Sequence, residues 1–107
     1  METSLTGVRV LVVDDERINR ELSRRRLEAA GMVVMLAEEG AGALALIASR
    51  AVDLVLLDIV MPGMDGPEVL QRIRSSFSRT ELPVIMATAR EASEDITTTL
   101  RLGANDY

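Results

Sequence analysis

A chain of 107 residues carrying a net charge of -5, without cysteine or histidine, is long enough for one domain with its own core. It excludes a disulfide framework and thiolate chemistry, and it lacks the usual ligands of zinc. The mildly acidic balance argues against a nucleic-acid-binding surface over the whole domain, and no apolar run approaches the roughly 20 residues of a membrane span. With one Phe and one Tyr, the core must be aliphatic. Any metal must take oxygen ligands, which points to magnesium, manganese or calcium. The first residues show no charged-then-apolar leader pattern, so the cytoplasm is the simplest location.

In chain order, residues 8–13 (Val-Arg-Val-Leu-Val-Val) read as a central parallel strand that stops at Asp14-Asp15-Glu16. A helix is expected over 17–30, with Ile18, Leu22, Leu27 and Ala30 as its apolar stripe. Gly31 suits the left-handed position just past its end. Residues 32–37 form a short second strand. A second helix is expected over 41–50, with Leu44, Ile47 and Ala48 inward. Residues 52–57 are the third strand, ending at Asp58. A loop with Pro62, Gly63 and Gly66 follows, and the third helix is expected over 67–77. Asp65 or Gly66 caps it, Pro67 sits in its first turn, and Leu70, Ile73 and Phe77 share one side. Residues 83–88 form the fourth strand, with Pro83 where a missing donor matters least. Ser93 caps a last helix over 94–102, weakened by Thr97, Thr98 and Thr99. A fifth strand starts at Asn105-Asp106-Tyr107. Alternating strands and helices imply right-handed crossovers and a doubly wound parallel α/β sheet of order 2-1-3-4-(5), the fifth strand and last helix being incomplete, in one domain spanning 1–107.

That topology gives three acids a common address. Asp14 and Asp15 end the first strand and Asp58 ends the third, and in the order 2-1-3-4-5 those strands are neighbours at the switch point, where ligands bind in open α/β sheets. Like charges brought this close repel, and a hard divalent cation such as magnesium offsets the repulsion. Thr88, ending the fourth strand, directs a hydroxyl toward the same pocket. Taken singly, each residue has a plainer reading: a helix cap for Asp14 or Asp15, loop polarity for Asp58, a β-former for Thr88. Their coincidence at carboxyl strand ends favours chemistry. The run Arg24-Arg25-Arg26 reads as a solvated helix face.

Four segments of the chain match one family in order and spacing: Val12-Val13-Asp14-Asp15-Glu16, then 57–66 (Leu-Asp-Ile-Val-Met-Pro-Gly-Met-Asp-Gly), 83–89 (Pro-Val-Ile-Met-Ala-Thr-Ala) and 102–107 (Leu-Gly-Ala-Asn-Asp-Tyr). With these the chain resembles the receiver domain of two-component response regulators, a flavodoxin-like (CheY-like) fold. The resemblance implies that Asp58 accepts a phosphoryl group from a phosphohistidine on a partner kinase or phosphotransfer protein. It implies that Asp14, Asp15, Asp58 and the backbone carbonyl of Val60 hold magnesium, with manganese as a substitute. Thr88 would hydrogen-bond the phosphoryl oxygen and shift on activation, and Tyr107 would be the rotating switch aromatic. The implied partners are a histidine kinase, an output domain outside this sequence and, where copies pair, a second copy. No membrane and no direct nucleic-acid binding are implied.

Two departures stand out. The family's lysine beyond the position of Tyr107 does not occur within 107 residues, which reads as a truncated chain and leaves the fourth strand as an edge. Val60 and Arg90 occupy positions that tune phosphate lifetime in the family, and an apolar Val60 predicts slow self-dephosphorylation. A phosphohydrolase that works through an aspartyl phosphate would want a second acid where Val60 stands. A flavin-binding domain would want a Ser/Thr/Gly-rich loop in place of Asp14-Asp15-Glu16. A receiver-like interaction module that no longer switches is supported only by the missing lysine. The expected role is thus a phosphorylation-controlled switch that catalyses only its own phosphorylation and dephosphorylation.

Overall fold

The computed structural model describes residues 6–49, 51–58 and 66–87. Its elements alternate as expected: β1 (Arg9–Val13), α1 (Arg17–Ala29), β2 (Val33–Ala37), α2 (Gly40–Ala48), β3 (Leu54–Asp58), α3 (Gly66–Arg74) and β4 (Val84–Ala87). The four strands form one sheet of order β2-β1-β3-β4, parallel throughout. The doubly wound α/β arrangement read from the sequence is therefore the one the chain adopts. The helix expected over 94–102, its cap Ser93, the fifth strand at 105–107 and the loop residue Asp65 lie outside the described residues.

The sheet's two faces are covered differently. Leu11, Val13, Val55, Leu57, Val84 and Met86 project to one face, where they meet Ala43 and Ile47 of α2 and Val69, Leu70 and Ile73 of α3 in a buried aliphatic cluster. Alternation along a strand puts Val10, Val12, Leu54 and Leu56 on the opposite face, with α1. Here Val10 and Val12 are buried, while Leu54 and Leu56 are only half-buried.

α1 itself differs from the stripe read in its sequence. None of its residues is fully buried, Ile18 is 72% exposed and Leu22 47%. Its half-buried residues are Arg20, Glu21, Ser23, Arg24 and Leu27, so of the expected stripe Leu27 alone is partly withdrawn from solvent. Long charged side chains can occupy such positions because their stems cover apolar surface while their heads find polar partners. Arg24 does so by pairing with Glu21 and Glu28, and the Arg24 guanidinium holds the Glu21 carboxyl below the usual range.

Gly31 has φ +92°, the left-handed conformation its sequence position suggested. A Cβ there would stand 2.8 Å from Thr6 Oγ1, so glycine is required on two counts. The turn is closed by the Gly7 amide donating to the Gly31 carbonyl at 2.9 Å.

Candidate functional site: an acidic pocket at the carboxyl end of the sheet

The pocket follows from strand register. β1 and β3 pair with Val13 opposite Leu57, which sets the next residues, Asp14 and Asp58, side by side where the sheet ends. The Asp14 amide still donates to the Ala37 carbonyl at 3.1 Å, extending the β1–β2 ladder by one residue. Beyond it the chain turns. Asp14 Oδ1 accepts the Glu16 amide at 2.9 Å, the local bond by which an aspartate starts a turn. α1 then begins from Glu16, whose side chain makes no capping bond. The plain reading of Asp14 as a helix cap is thus half right: one oxygen holds the turn ahead of the N-cap.

The result brings together the three acids named from the sequence. One carboxylate oxygen from each of Asp14, Asp15 and Asp58 lies within 4.8 Å of the others, with Asp14 and Asp58 half-buried and Asp15 exposed. β4 contributes through its own register, which sets Ala87 opposite Asp58. Thr88, Val60 and Tyr107, the other expected site residues, lie outside the described residues, as does Arg90.

The donor set suits a particular class of ion. Three carboxylates offer only hard oxygen atoms, and the chain has no imidazole or thiolate to add. Magnesium and manganese prefer such ligands and commonly use one or two protein carboxylates together with water and a phosphate oxygen. The acids therefore fit the ion that the sequence implied.

A cation that sequence reasoning missed borders the pocket. Arg20, whose side chain is 14% exposed, directs Nη1 to the Asp14 carbonyl at 2.9 Å. Its Nη2 lies 3.6 Å from Glu38 Oε2, beyond the end of β2. The helical spacing of residues 20, 24 and 27 carries the signal, but the apolar pair Ile18 and Leu22 marks a different face.

With fold and pocket in place, likeness to known proteins becomes informative. The family model for the response regulator receiver domain matches residues 10–107. The response regulator MprA of Mycobacterium sp. (strain KMS) is 45% identical over 100 residues, covering 94% of this chain and 43% of that protein. MprA of Mycolicibacterium vanbaalenii is 46% identical over 100 residues, covering 94% of this chain and 42% of its own length. Among solved structures, the signal receiver domain of the response regulator NarL from Mycobacterium tuberculosis superposes with a TM-score of 0.85 at 35% identity, over 94% of this chain and 82% of that one. The BeF3-activated receiver domain of Klebsiella pneumoniae RstA gives 0.86 at 29% identity, over 92% of this chain and 82% of that one. This chain belongs to the response regulator receiver domain family, and so to two-component signal transduction. It spans a little under half the length of the curated relatives it matches. Among the described residues no helix is long and apolar enough to cross a membrane.

Proposed function

We propose that Asp58 is the phosphoacceptor of a phosphorelay switch and that Asp14 and Asp15 join it in holding magnesium, with manganese able to substitute. The observation that carries this reading is the meeting of the three carboxylates within 4.8 Å at the carboxyl ends of β1 and β3. A cluster of like charges at the carboxyl ends of adjacent strands is the kind of feature that function maintains.

The chemistry is a transfer of a phosphoryl group. A carboxylate oxygen of Asp58 forms a bond to phosphorus as the bond from phosphorus to the imidazole nitrogen of a partner's phosphohistidine breaks. The freed imidazole takes a proton, and the product is an acyl phosphate. Such transfers depend on positioning and on neutralising negative charge spread over the phosphoryl oxygens. Bound magnesium would supply that neutralisation between Asp58 and the incoming group. Asp58 is half-buried at the carboxyl end of β3. Asp14 Oδ1 is held by the Glu16 amide, which restrains that carboxylate beside Asp58. Thr88 would bond the phosphoryl oxygen and move with it, the backbone carbonyl of Val60 would complete the metal ligands, and Tyr107 would report the switch. This local change then biases a bistable surface read by a partner or an output domain.

The reading places the domain, over 1–107, in the cytoplasm as a substrate of a histidine kinase or phosphotransfer protein. It turns over nothing but its own phosphoryl group, does not itself bind nucleic acid, and can pair with a second copy. Acetyl phosphate with magnesium should add one phosphoryl group to the chain, detected by intact mass. Asp58→Asn should remove that product completely. A phosphoryl group still gained at the wild-type rate by Asp58→Asn would overturn the assignment.

A further inference from the structure

We propose that Arg20 is a positioning residue for the metal ligands, acting through the Asp14–Asp15 peptide. The proposal rests on the magnesium reading above and deepens it. The backbone of Asp14 is held on both sides, in the peptide before it and in the peptide that joins the two acids. On one side the Asp14 amide is tied to the Ala37 carbonyl at 3.1 Å. On the other, the Asp14 carbonyl is taken by Arg20 Nη1 at 2.9 Å. Asp15 is exposed and follows the last ladder bond of β1. Its direction therefore depends on how this peptide plane is held. A peptide beyond a strand end turns readily, and each turn would swing the Asp15 carboxylate away from Asp14 and Asp58. The guanidinium is itself anchored, since its helix is tied at this point by the Arg20 amide donating to the Glu16 carbonyl at 3.0 Å and its second arm faces Glu38. Strand β1, helix α1 and the chain after β2 are thereby joined at one side chain.

The sign of the effect separates positioning from charge. Arg20 is positive. If it influenced the pocket through its field alone, its removal would tighten binding of a divalent cation. A positioning role predicts the reverse, because the peptide leaves its competent orientation part of the time and apparent affinity falls by that fraction. Groups that orient metal ligands without touching the metal typically contribute tenfold or more in affinity. Here the control is exerted through the backbone, so a loss of about three- to tenfold is expected.

The test is manganese binding followed by electron paramagnetic resonance, with the Asp14 carbonyl carbon and the Asp15 amide read by NMR in the same samples without metal. Arg20→Gln should bind manganese about three- to tenfold more weakly and move both NMR signals. Arg20→Lys keeps one donor for the Asp14 carbonyl and should stay within about twofold of wild type. Unchanged or tighter binding by Arg20→Gln overturns the proposal. A lysine variant as weak as the glutamine one also overturns it, because the effect would then lie with the arm facing Glu38. If Arg20→Gln does not fold, the lysine variant decides, with near-wild-type affinity and carbonyl shift supporting the role and a loss of both rejecting it. A wild-type protein that binds no manganese would sink the metal reading itself, an outcome distinct from wild-type binding that Arg20→Gln leaves intact.

Discussion

At the amino end of the sheet, Asp53 is held by an arginine; at the carboxyl end, Asp14, Asp15 and Asp58 are held against one another. Asp53 precedes β3 and faces the first residue of β1. Its Oδ2 accepts the Arg9 amide at 2.9 Å and Arg9 Nε at 3.1 Å, and its Oδ1 accepts Nη2 at 3.0 Å. The Asp53 amide returns a bond to the Arg9 carbonyl at 2.8 Å. One carboxylate thus closes the ladder between two strands and meets a full guanidinium fork. Nearby, Arg74 Nη1 reaches the carbonyls of Ser78 and Leu82 at 3.1 and 2.7 Å, tying down the connection from α3 to β4. The cavity between these groups, lined by Arg9, Asp53, Phe77, Leu82 and others, measures about 310 Å³. Two of its charged residues, Arg9 and Asp53, are matched to each other. The same residue type therefore orders one end of the sheet and loads the other with repulsion. The paired end is suited to stability, and the clustered end is the one proposed above to take a cation and a phosphate.

The comparison breaks most visibly at Asp15. Replacing it with Asn removes a charge and a metal ligand but little volume. Magnesium affinity should fall on the order of a hundredfold, the upper end of what even indirect ligand changes produce. Without metal the same change should stabilise the fold, because two unit charges at this separation in water repel by about 1 kcal/mol. Calorimetric titration and urea unfolding read the two effects. Asp53→Asn should differ on both counts, leaving magnesium affinity at wild type and lowering the urea midpoint. If Asp15→Asn destabilises the metal-free protein, the idea of a strained acidic end is wrong.

Arg74 tests the other half. Its guanidinium is partly withdrawn from water, and burial pushes its pKa down, with the Arg79 charge adding to the effect. Arg74→Met keeps the stem but leaves the carbonyls of Ser78 and Leu82 to find new partners. A loss of about 2 kcal/mol is expected, with magnesium affinity unchanged. Gly31→Ala should cost somewhat less, about 1 kcal/mol, from the left-handed backbone, and more if Thr6 cannot shift. Both are read from urea midpoints, and a change in metal affinity in either would mean the two ends are coupled.

What the sequence disclosed follows the same division. β1 to β4 were legible to within two residues at each end, because strands buried in a parallel sheet are nearly continuous apolar runs. Once their order was set, the convergence of Asp14, Asp15 and Asp58 was a matter of register. α2, at Gly40–Ala48, was legible to the same margin, and α3 was misjudged at its end, stopping at Arg74. The capping geometry that fixes a helix end is weakly written in residue type. The stripe expected for α1 holds at Leu27, which is half-buried, but not at Ile18, Leu22 and Ala30, which are exposed. Hydrophobic periodicity gives no weight to an arginine, and here the Arg20 side chain is largely withdrawn from solvent with its head on the Asp14 carbonyl. The Arg9–Asp53 clamp left no trace, since its partners are 44 residues apart and only the β1–β3 register unites them.

The smallest expected effect is the pH dependence of that clamp. The Arg9 side chain, through its hydrogen bonds, and the Arg9 amide hold Asp53 below the ordinary aspartate value of 3.8. The unfolded chain binds a proton near that value, whereas the folded chain takes one only at lower pH. Asp53 therefore contributes stability that is present above 3.8 and is lost as pH falls through the folded value. Arg9, raised by the same partner, stays charged throughout this window. The difference in urea midpoint between wild type and Asp53→Asn should thus be constant near neutrality and close as the acid limb is entered. It should also narrow with added salt, because both side chains are 44% exposed and exposed pairs are screened. A difference that persists unchanged into strong acid would mean that Asp53 acts through the shape of its backbone contacts and not its charge. The two ends of the sheet would then differ in geometry alone, and pairing against clustering would no longer explain why one is stable and the other poised.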